Sequence, residues 1–187
     1  MENRGGDEDK ITAFALAAGR GDARALTDFI RATQNDVWRF VRFLSDDRHA
    51  DDLTQETYLR AVKSLARFSG RSTARTWLLS IARRVVVDHI RYETSRPRMD
   101  LHASSETIAS ITSLTERHDD NVELRMLIDA LDEPRREALV LTQILGMSYA
   151  EAAAVCGCPV GTIRSRVARA RDDLQAAYRA GEHRTTG

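Results

Sequence analysis

The sequence predicts an all-α protein built as two small helical domains joined by a flexible linker. Apolar residues recur at helical spacing along nearly the whole chain, with no convincing strand alternation and no internal repeat. Residues 96–121 lose that pattern and turn to Ser, Thr, Glu, Asp and His with scattered aliphatics, a composition unable to bury enough apolar surface to order itself. A chain of 187 residues has room for one ordinary domain or two small ones.

Residues 1–10 are acidic and polar, which fits neither a secretory signal nor a transit peptide and predicts a disordered start. The first domain, residues 11–95, opens with helices over Ile11–Leu16 and Ala23–Leu44. The second of these sends Phe29, Ile30, Val37, Trp38, Val41 and Leu44 toward a core. Ser45–Arg48 is a polar break. Asp51–Phe68 is a further amphipathic helix with Leu53, Tyr58, Leu59, Val62 and Leu65 as its apolar set. After the loop Ser69–Thr73, Ser72 or Thr73 can cap a long helix running to about Tyr92. On that helix Trp77, Leu78, Ile81, Ala82, Val85 and Val86 form the expected buried stripe, and Thr76, Ser80, Arg83, Arg84, Val87 and Arg91 the outward face.

The second domain, residues 122–180, begins with helices over Val122–Leu131 and Pro134–Leu145 and precedes a flexible tail, 181–187. Its most informative stretch follows. Gly146 can end a helix in the left-handed conformation, and Ser148 with Glu151 three residues on reads as a capping box. Small Ala152 and Ala153 permit a close helix approach, Gly157 marks a turn, and Pro159 suits a helix start. Val160, Ile163, Val167 and Ala170 make the inner stripe of the next helix. Thr162 stands at its start, and Arg164, Ser165, Ala168 and Arg169 face outward, flanked by Arg166 and Arg171. This is a DNA-binding helix-turn-helix: arginines take guanine edges or clamp phosphates, and small Ser and Ala let the backbone sink into a major groove.

Charge balance limits how such a protein can hold nucleic acid. With 28 basic and 28 acidic residues the whole molecule exerts no net pull on DNA, so binding must come from local patches. No apolar run approaches the roughly 18 residues of a membrane span, and the cytoplasm is the expected compartment. Cys156 and Cys158 stand too close together for a structural zinc site and read as two small buried side chains. His49, His89, His102, His118 and His183 are scattered without a metal spacing, and no glycine-rich phosphate loop is present, so neither enzyme, metal nor cofactor is expected.

Two further surfaces stand out in the first domain. The loop Phe68–Arg75 is cationic and bounded by an aromatic, and lies beside the basic helix face. That combination suits unpaired nucleic acid, whose backbone charge is neutralised while a base is held. Asp51, Asp52, Gln55 and Glu56 are opposite in sign. They fit either stabilisation of a helix N-terminus or a docking face for a basic partner.

Taken together, these motifs resemble the extracytoplasmic-function sigma factors of the sigma-70 family, nearest in wording to their actinobacterial sigma C type. Asp51–Tyr58 resembles region 2.2, Arg67–Phe68 through Thr76–Arg83 resembles regions 2.3 and 2.4, and Cys158–Arg171 resembles region 4.2. The resemblance implies RNA polymerase core as partner, with Asp51, Asp52, Gln55 and Glu56 meeting the β′ clamp coiled coil and the second domain near the β flap. It implies that Phe68, Arg71, Ser72, Ser80, Arg83, Arg84 and Arg91 take the non-template strand of a −10 element, with the Phe68–Thr73 loop capturing a flipped base. It further implies that Thr162, Arg164, Ser165, Ala168, Arg169 and Arg171 read a −35 element as duplex, and that the linker threads toward the active-site cleft. Arg84 stands where the family commonly has Asn, and Ala168 replaces a bulkier side chain, so promoter letters do not carry over. An anti-sigma factor is a further partner class, and the free protein is expected to be monomeric.

The alternative is a stand-alone helix-turn-helix regulator, which would be a symmetric dimer on a palindrome; the chain offers no evident dimer helix. A tether carrying the acidic face at Asp51, Asp52 and Glu56 and the basic face at Arg164, Arg166, Arg169 and Arg171 also predicts that the free chain folds back, covering its own reading helix.

Overall fold

A computed structural model describes the backbone of residues 4–95 and 119–185, and the side chains of 6–95 and 124–179. These residues form eight α-helices and no strand: α1 (Arg4–Gly19), α2 (Ala23–Leu44), α3 (Ala50–Leu65), α4 (Ala74–Ser95), α5 (Asp119–Asp129), α6 (Glu133–Leu139), α7 (Tyr149–Cys156) and α8 (Val160–Thr185). A 3-10 turn, Asp47–His49, leads into α3, and one π-type turn, Val140–Ile144, follows α6. Two expectations change at the ends. Residues 4–10 are helical, because the helix of Ile11–Leu16 extends backward, and α8 continues into the expected tail as far as Thr185. The expected linker lies outside the described residues up to position 118, and 119–121 already belong to α5.

The first domain is a bundle of α1 to α4. Asp22 caps α2 by accepting from the backbone N–H of Arg24 and Ala25 at 2.9 and 3.0 Å, satisfying two of the donors that a helix start leaves free. Behind that cap Phe29, Val37, Phe40, Val41 and Leu44 are buried against Leu53, Ala61 and Leu65 of α3 and Leu78, Leu79, Val85 and Val86 of α4. Tyr58, half-buried, closes the inner end by hydrogen bonding Thr33 at 2.8 Å; burial pushes its hydroxyl up to about 12 and keeps it neutral. Across this bundle lies α1, whose Thr12 hydroxyl accepts from the N–H of Ala74 at 3.1 Å and so caps α4 from sixty residues away.

In the second domain Asp132 caps α6, accepting from the N–H of Arg135 at 2.9 Å, and Ile163, Val167 and Ala170 of α8 are fully buried beneath α6 and α7. Val160, expected in that stripe, is exposed because it sits at the first position of α8, outside the helix-helix contact. The two domains are not separate in space. Helix α4 packs on α7, α2 packs on α6, and the buried apolar residues run as one cluster across both domains.

Gly19 ends α1 where it crosses the end of α3, and a Cβ added there would lie 2.7 Å from the Leu65 carbonyl oxygen. Since both partners are backbone, Gly19→Ala must push α1 off α3 and is expected to lower stability by about 1–3 kcal/mol in urea unfolding. Gly161→Ala, whose Cβ meets open space, should leave stability unchanged or slightly raised.

Candidate nucleic-acid and partner surfaces

The helix-turn-helix is assembled by local hydrogen bonds. The Glu151 carboxylate accepts from the Ser148 N–H at 2.9 Å, and Ser148 Oγ accepts from the Glu151 N–H at 3.2 Å, closing the capping box that starts α7. Burial would raise the Glu151 carboxyl, but hydrogen bonds from Ser148 and the nearby charge of Arg75 outweigh it, so the group stays ionised below its ordinary range. Gly146 and Gly157 take φ of +66° and +64°, so the chain reverses at each without steric cost.

With Ile163, Val167 and Ala170 turned inward, Arg164, Ser165, Ala168, Arg169 and Arg171 are all exposed and Thr162 is half-buried. Arg171 is held by Gln143 at 2.7 Å, and the half-buried Arg166 lies 3.8 Å from Cys158 Sγ, which among the described residues leaves Arg164 and Arg169 as the freely projecting cations of the face. Arg135 braces α6 to α8 through Asp173 at 2.5 Å. The predicted −35 set is therefore gathered on one open helix face.

The acidic set lies on the first turns of α3. Asp51 is exposed but engaged, accepting from the Trp38 indole N–H at 2.9 Å; Asp52 and Gln55 are exposed. Glu56 pairs with Arg60 at 2.7 Å, and Arg60 reaches Asp88 of α4 at the same distance. Leu59 and Val62, expected among the apolar set of this helix, are 57 % and 45 % exposed. They continue the line Asp52, Gln55, Leu59, Val62 at three- and four-residue steps, so one face of α3 is acidic at its start, apolar further on, and uncovered.

Around the loop after α3, Phe68 is half-buried with its ring centroid 4.9 Å from that of Trp77, while Arg71 and Ser72 are exposed. The cap of α4 is Thr73, whose hydroxyl accepts from the Thr76 N–H at 3.2 Å, and Gly70 takes φ of +71° over Leu16. The outward face of α4 divides. Arg84 and Arg91 are exposed, but Thr76 is buried, Ser80 is half-buried and Arg83 meets the second domain. Periodicity could not reveal this, because α4 has a buried stripe in its own bundle and a second contact on the opposite side.

Three arginines cross that seam. Arg83 donates to Glu137 of α6 at 2.5 Å, and Glu137 is only 5 % exposed. Burial works against the Arg83 charge, yet the hydrogen bond and attraction of Glu137 outweigh it, so the guanidinium holds its proton more tightly than usual. Arg75 donates to Asp36 at 2.6 Å and to the Leu145 carbonyl at 2.6 Å, with Glu8 3.7 Å away. From the other side Arg125 of α5 donates to the Arg42 carbonyl at 2.7 Å and lies 3.2 Å from Asp47 and over the Phe43 ring. The Asp47 carboxyl is lowered chiefly by its hydrogen bond from Arg42, with Arg125 adding to the effect. The expected fold-back thus takes a different form. The domains meet, but among the described residues no ion pair joins Asp51, Asp52 or Glu56 to α8, whose reading face stays open; the covered surface is part of the predicted −10 face.

Cys156 is buried and its thiol is pushed well up, by burial first and Glu137 next, which makes it inert; Cys158 is half-buried and free. The histidines give the clearest departure. His49 and His89, forty residues apart, stack with ring centroids 4.5 Å apart beside Glu93.

Comparison with known proteins agrees with this geometry. Residues 29–96 match the family model for Sigma-70 region 2, and residues 121–174 that for Sigma-70, region 4, which defines a sigma factor of the sigma-70 class. The ECF RNA polymerase sigma factor SigC of Mycobacterium tuberculosis (strain CDC 1551 / Oshkosh) is 59% identical over 170 residues, spanning 91% of this chain and 92% of that protein. The ECF RNA polymerase sigma factor EcfG of Rhodopseudomonas palustris (strain TIE-1) is 40% identical over 154 residues, spanning 81% and 84%. Within that class the chain belongs to the extracytoplasmic-function RNA polymerase sigma factors, which favours promoter-directed initiation over a stand-alone regulator. CnrH, solved in complex with the cytosolic domain of CnrY, matches with a TM-score of 0.71 at 27% identity, covering 91% of this chain and 98% of that one. The sigma factor RpoE of Bartonella quintana, solved with the anti-sigma factor NepR, matches with a TM-score of 0.70 at 28% identity, covering 82% and 96%.

Arg83→Met strands the Glu137 carboxylate in the seam and is expected to cost about 1–3 kcal/mol in urea unfolding, the fuller penalty of a broken buried pair being reduced by the partial exposure of Arg83. The double variant Arg83→Met/Glu137→Leu should recover most of that loss, whereas additive losses would mean that the pair does not hold the domains together.

Proposed function

We propose that the chain directs promoter-specific initiation through three surfaces that its fold keeps apart, adding no catalysis of its own. Core polymerase docks on the α3 face, where Asp52, Gln55 and Glu56 supply rim charge that orients a basic coiled coil, Leu59 and Val62 supply apolar area, and Asp51 fixes the helix start through Trp38. The second domain contacts the β flap and presents Arg164, Ser165, Ala168 and Arg169 to the −35 duplex, with Thr162 and Arg171 at the phosphates. Unpaired −10 strand runs over Arg71, Ser72, Arg84 and Arg91 to the Phe68–Trp77 pocket, joined by Ser80 and Arg83 once the seam opens. The protein acts in the cytoplasm; among the described residues no helix is long and apolar enough to cross a membrane.

The observation that carries this reading is the contrast between two faces: among the described residues α8 leaves Arg164 and Arg169 free, whereas Arg83 is tied to Glu137. Arg83 donates through Nε to Glu137 of the second domain, so a nucleic-acid phosphate competes with Glu137 for that guanidinium and engagement of the −10 strand favours separation of the domains. Core polymerase, by binding the separated form more tightly, shifts that equilibrium. The solved complexes of the relatives CnrH and RpoE support an anti-sigma protein as an additional partner class.

Run-off transcription with purified core on a substituted promoter panel tests the assignment. Arg164→Ala and Arg169→Ala should each cost about 1–3 kcal/mol at particular −35 positions, and Arg171→Ala should weaken all promoters alike. Asp52→Asn/Leu59→Ala should lower core affinity while the melting temperature holds. Duplex binding by the free chain as tight as that of the holoenzyme, with unchanged core affinity for the α3 variant, would favour a stand-alone regulator.

A further inference from the structure

The histidine pair sits outside all three surfaces. His49 comes from the turn before α3, while His89 and Glu93 are four residues apart on one face of α4. Their ligand atoms all lie within 4.8 Å of one another. Both Nε2 atoms lie near the same carboxylate oxygen, Glu93 Oε1, 3.8 Å from His49 and 3.6 Å from His89. Those separations are too long for hydrogen bonds. They are close to the spacing of about 3.4 Å between donors that surround a tetrahedral ion with bonds of about 2.0–2.2 Å. Three donor atoms gathered this closely without hydrogen bonding one another are at separations that a shared ion can bridge.

We propose that His49, His89 and Glu93 form a binding site for a divalent transition-metal ion of the zinc type. Two imidazoles and one carboxylate suit zinc, cobalt, nickel or copper and are a poor set for magnesium or calcium, which take oxygen alone. The exposures of the donors, 32 % and 19 % for the His side chains and 54 % for Glu93, leave the ion reachable and a fourth position open to water. That position faces a cavity of about 670 Å³ whose walls include Asp47 of the first domain and Arg125, Asp129 and Arg136 of the second. The ion would pin the turn that carries Asp47 to helix α4, beside the seam that Arg125 and Arg83 hold closed. The site stands on its own geometry and does not depend on the promoter reading.

The full-length chain, stripped with a chelator, is titrated with Zn²⁺ by calorimetry and with Co²⁺ by visible absorption. One equivalent should bind with a Kd of roughly micromolar or tighter, Co²⁺ should show the strong visible bands of a four-coordinate site, and Zn²⁺ should raise the melting temperature. His49→Gln and His89→Gln should each weaken binding about tenfold or more and abolish the Co²⁺ bands, while Cys156→Ala/Cys158→Ala leaves both unchanged. Each variant is checked by circular dichroism, and His49→Ala and His89→Ala serve where a Gln variant does not fold. Absence of saturable binding up to about a hundredfold above that Kd, or binding indifferent to both histidines, would overturn the site.

Discussion

The arrangement depends on a charged pair placed where two domains share one helix. Helix α4 buries Leu78, Ala82, Val85 and Val86, packs on α7 of the second domain and sends Arg83 to Glu137 of α6. An apolar seam there would close permanently. An ion pair is different: Glu137 is desolvated and needs Arg83, but Arg83 keeps a partly wet guanidinium that another anion can recruit. Its net worth is modest, which suits a contact that has to open, and Arg75 and Arg125 extend the same logic by donating to carbonyls that water can satisfy once the domains part.

This divides the labour between the ends of the molecule. The helix proposed to read the −35 element needs no rearrangement, since its inner stripe is buried and Arg164 and Arg169 are exposed. The proposed −10 surface is complete only when the seam opens, because Arg83, one of its proposed members, is tied to Glu137 there. The α3 face proposed to meet polymerase is exposed among the described residues, so docking there can precede opening and supply the differential affinity that opening requires.

Local chemistry was readable from the sequence. The Ser148–Glu151 capping box, the left-handed glycines at 146 and 157 and the inward stripe of Ile163, Val167 and Ala170 are fixed by neighbours within a turn or two, and all took the expected form. What escaped was tertiary. Leu59 and Val62 satisfy helical periodicity as well as any core residue, and only the packing of α2 and α4 on the other side of α3 reveals that nothing covers them. Thr76 is polar and was expected outside, but it is buried, in a helix that also packs on α7 of the second domain. The ends of α1 and α8 carry no cap signal that would have set their length. His49 and His89 have no spacing to betray them, because the turn before α3 and the last third of α4 meet only when the bundle closes. Opposite charge suggested that the acidic face of α3 covers the basic face of α8; the domains meet instead through arginines within the seam, while Asp51 and Glu56 are engaged by Trp38 and Arg60.

Closure of α4 by the second domain in the free chain is the central claim, and the distance between domains tests it most directly. With the natural cysteines replaced by Ala, fluorophores at Lys63→Cys on α3 and Tyr178→Cys on α8, both exposed positions, report that distance in single molecules. The free protein should give one narrow population, which Glu137→Lys broadens and saturating core polymerase moves to a longer distance. A broad, long-distance population in the free wild-type chain, unchanged by Glu137→Lys, would contradict the account.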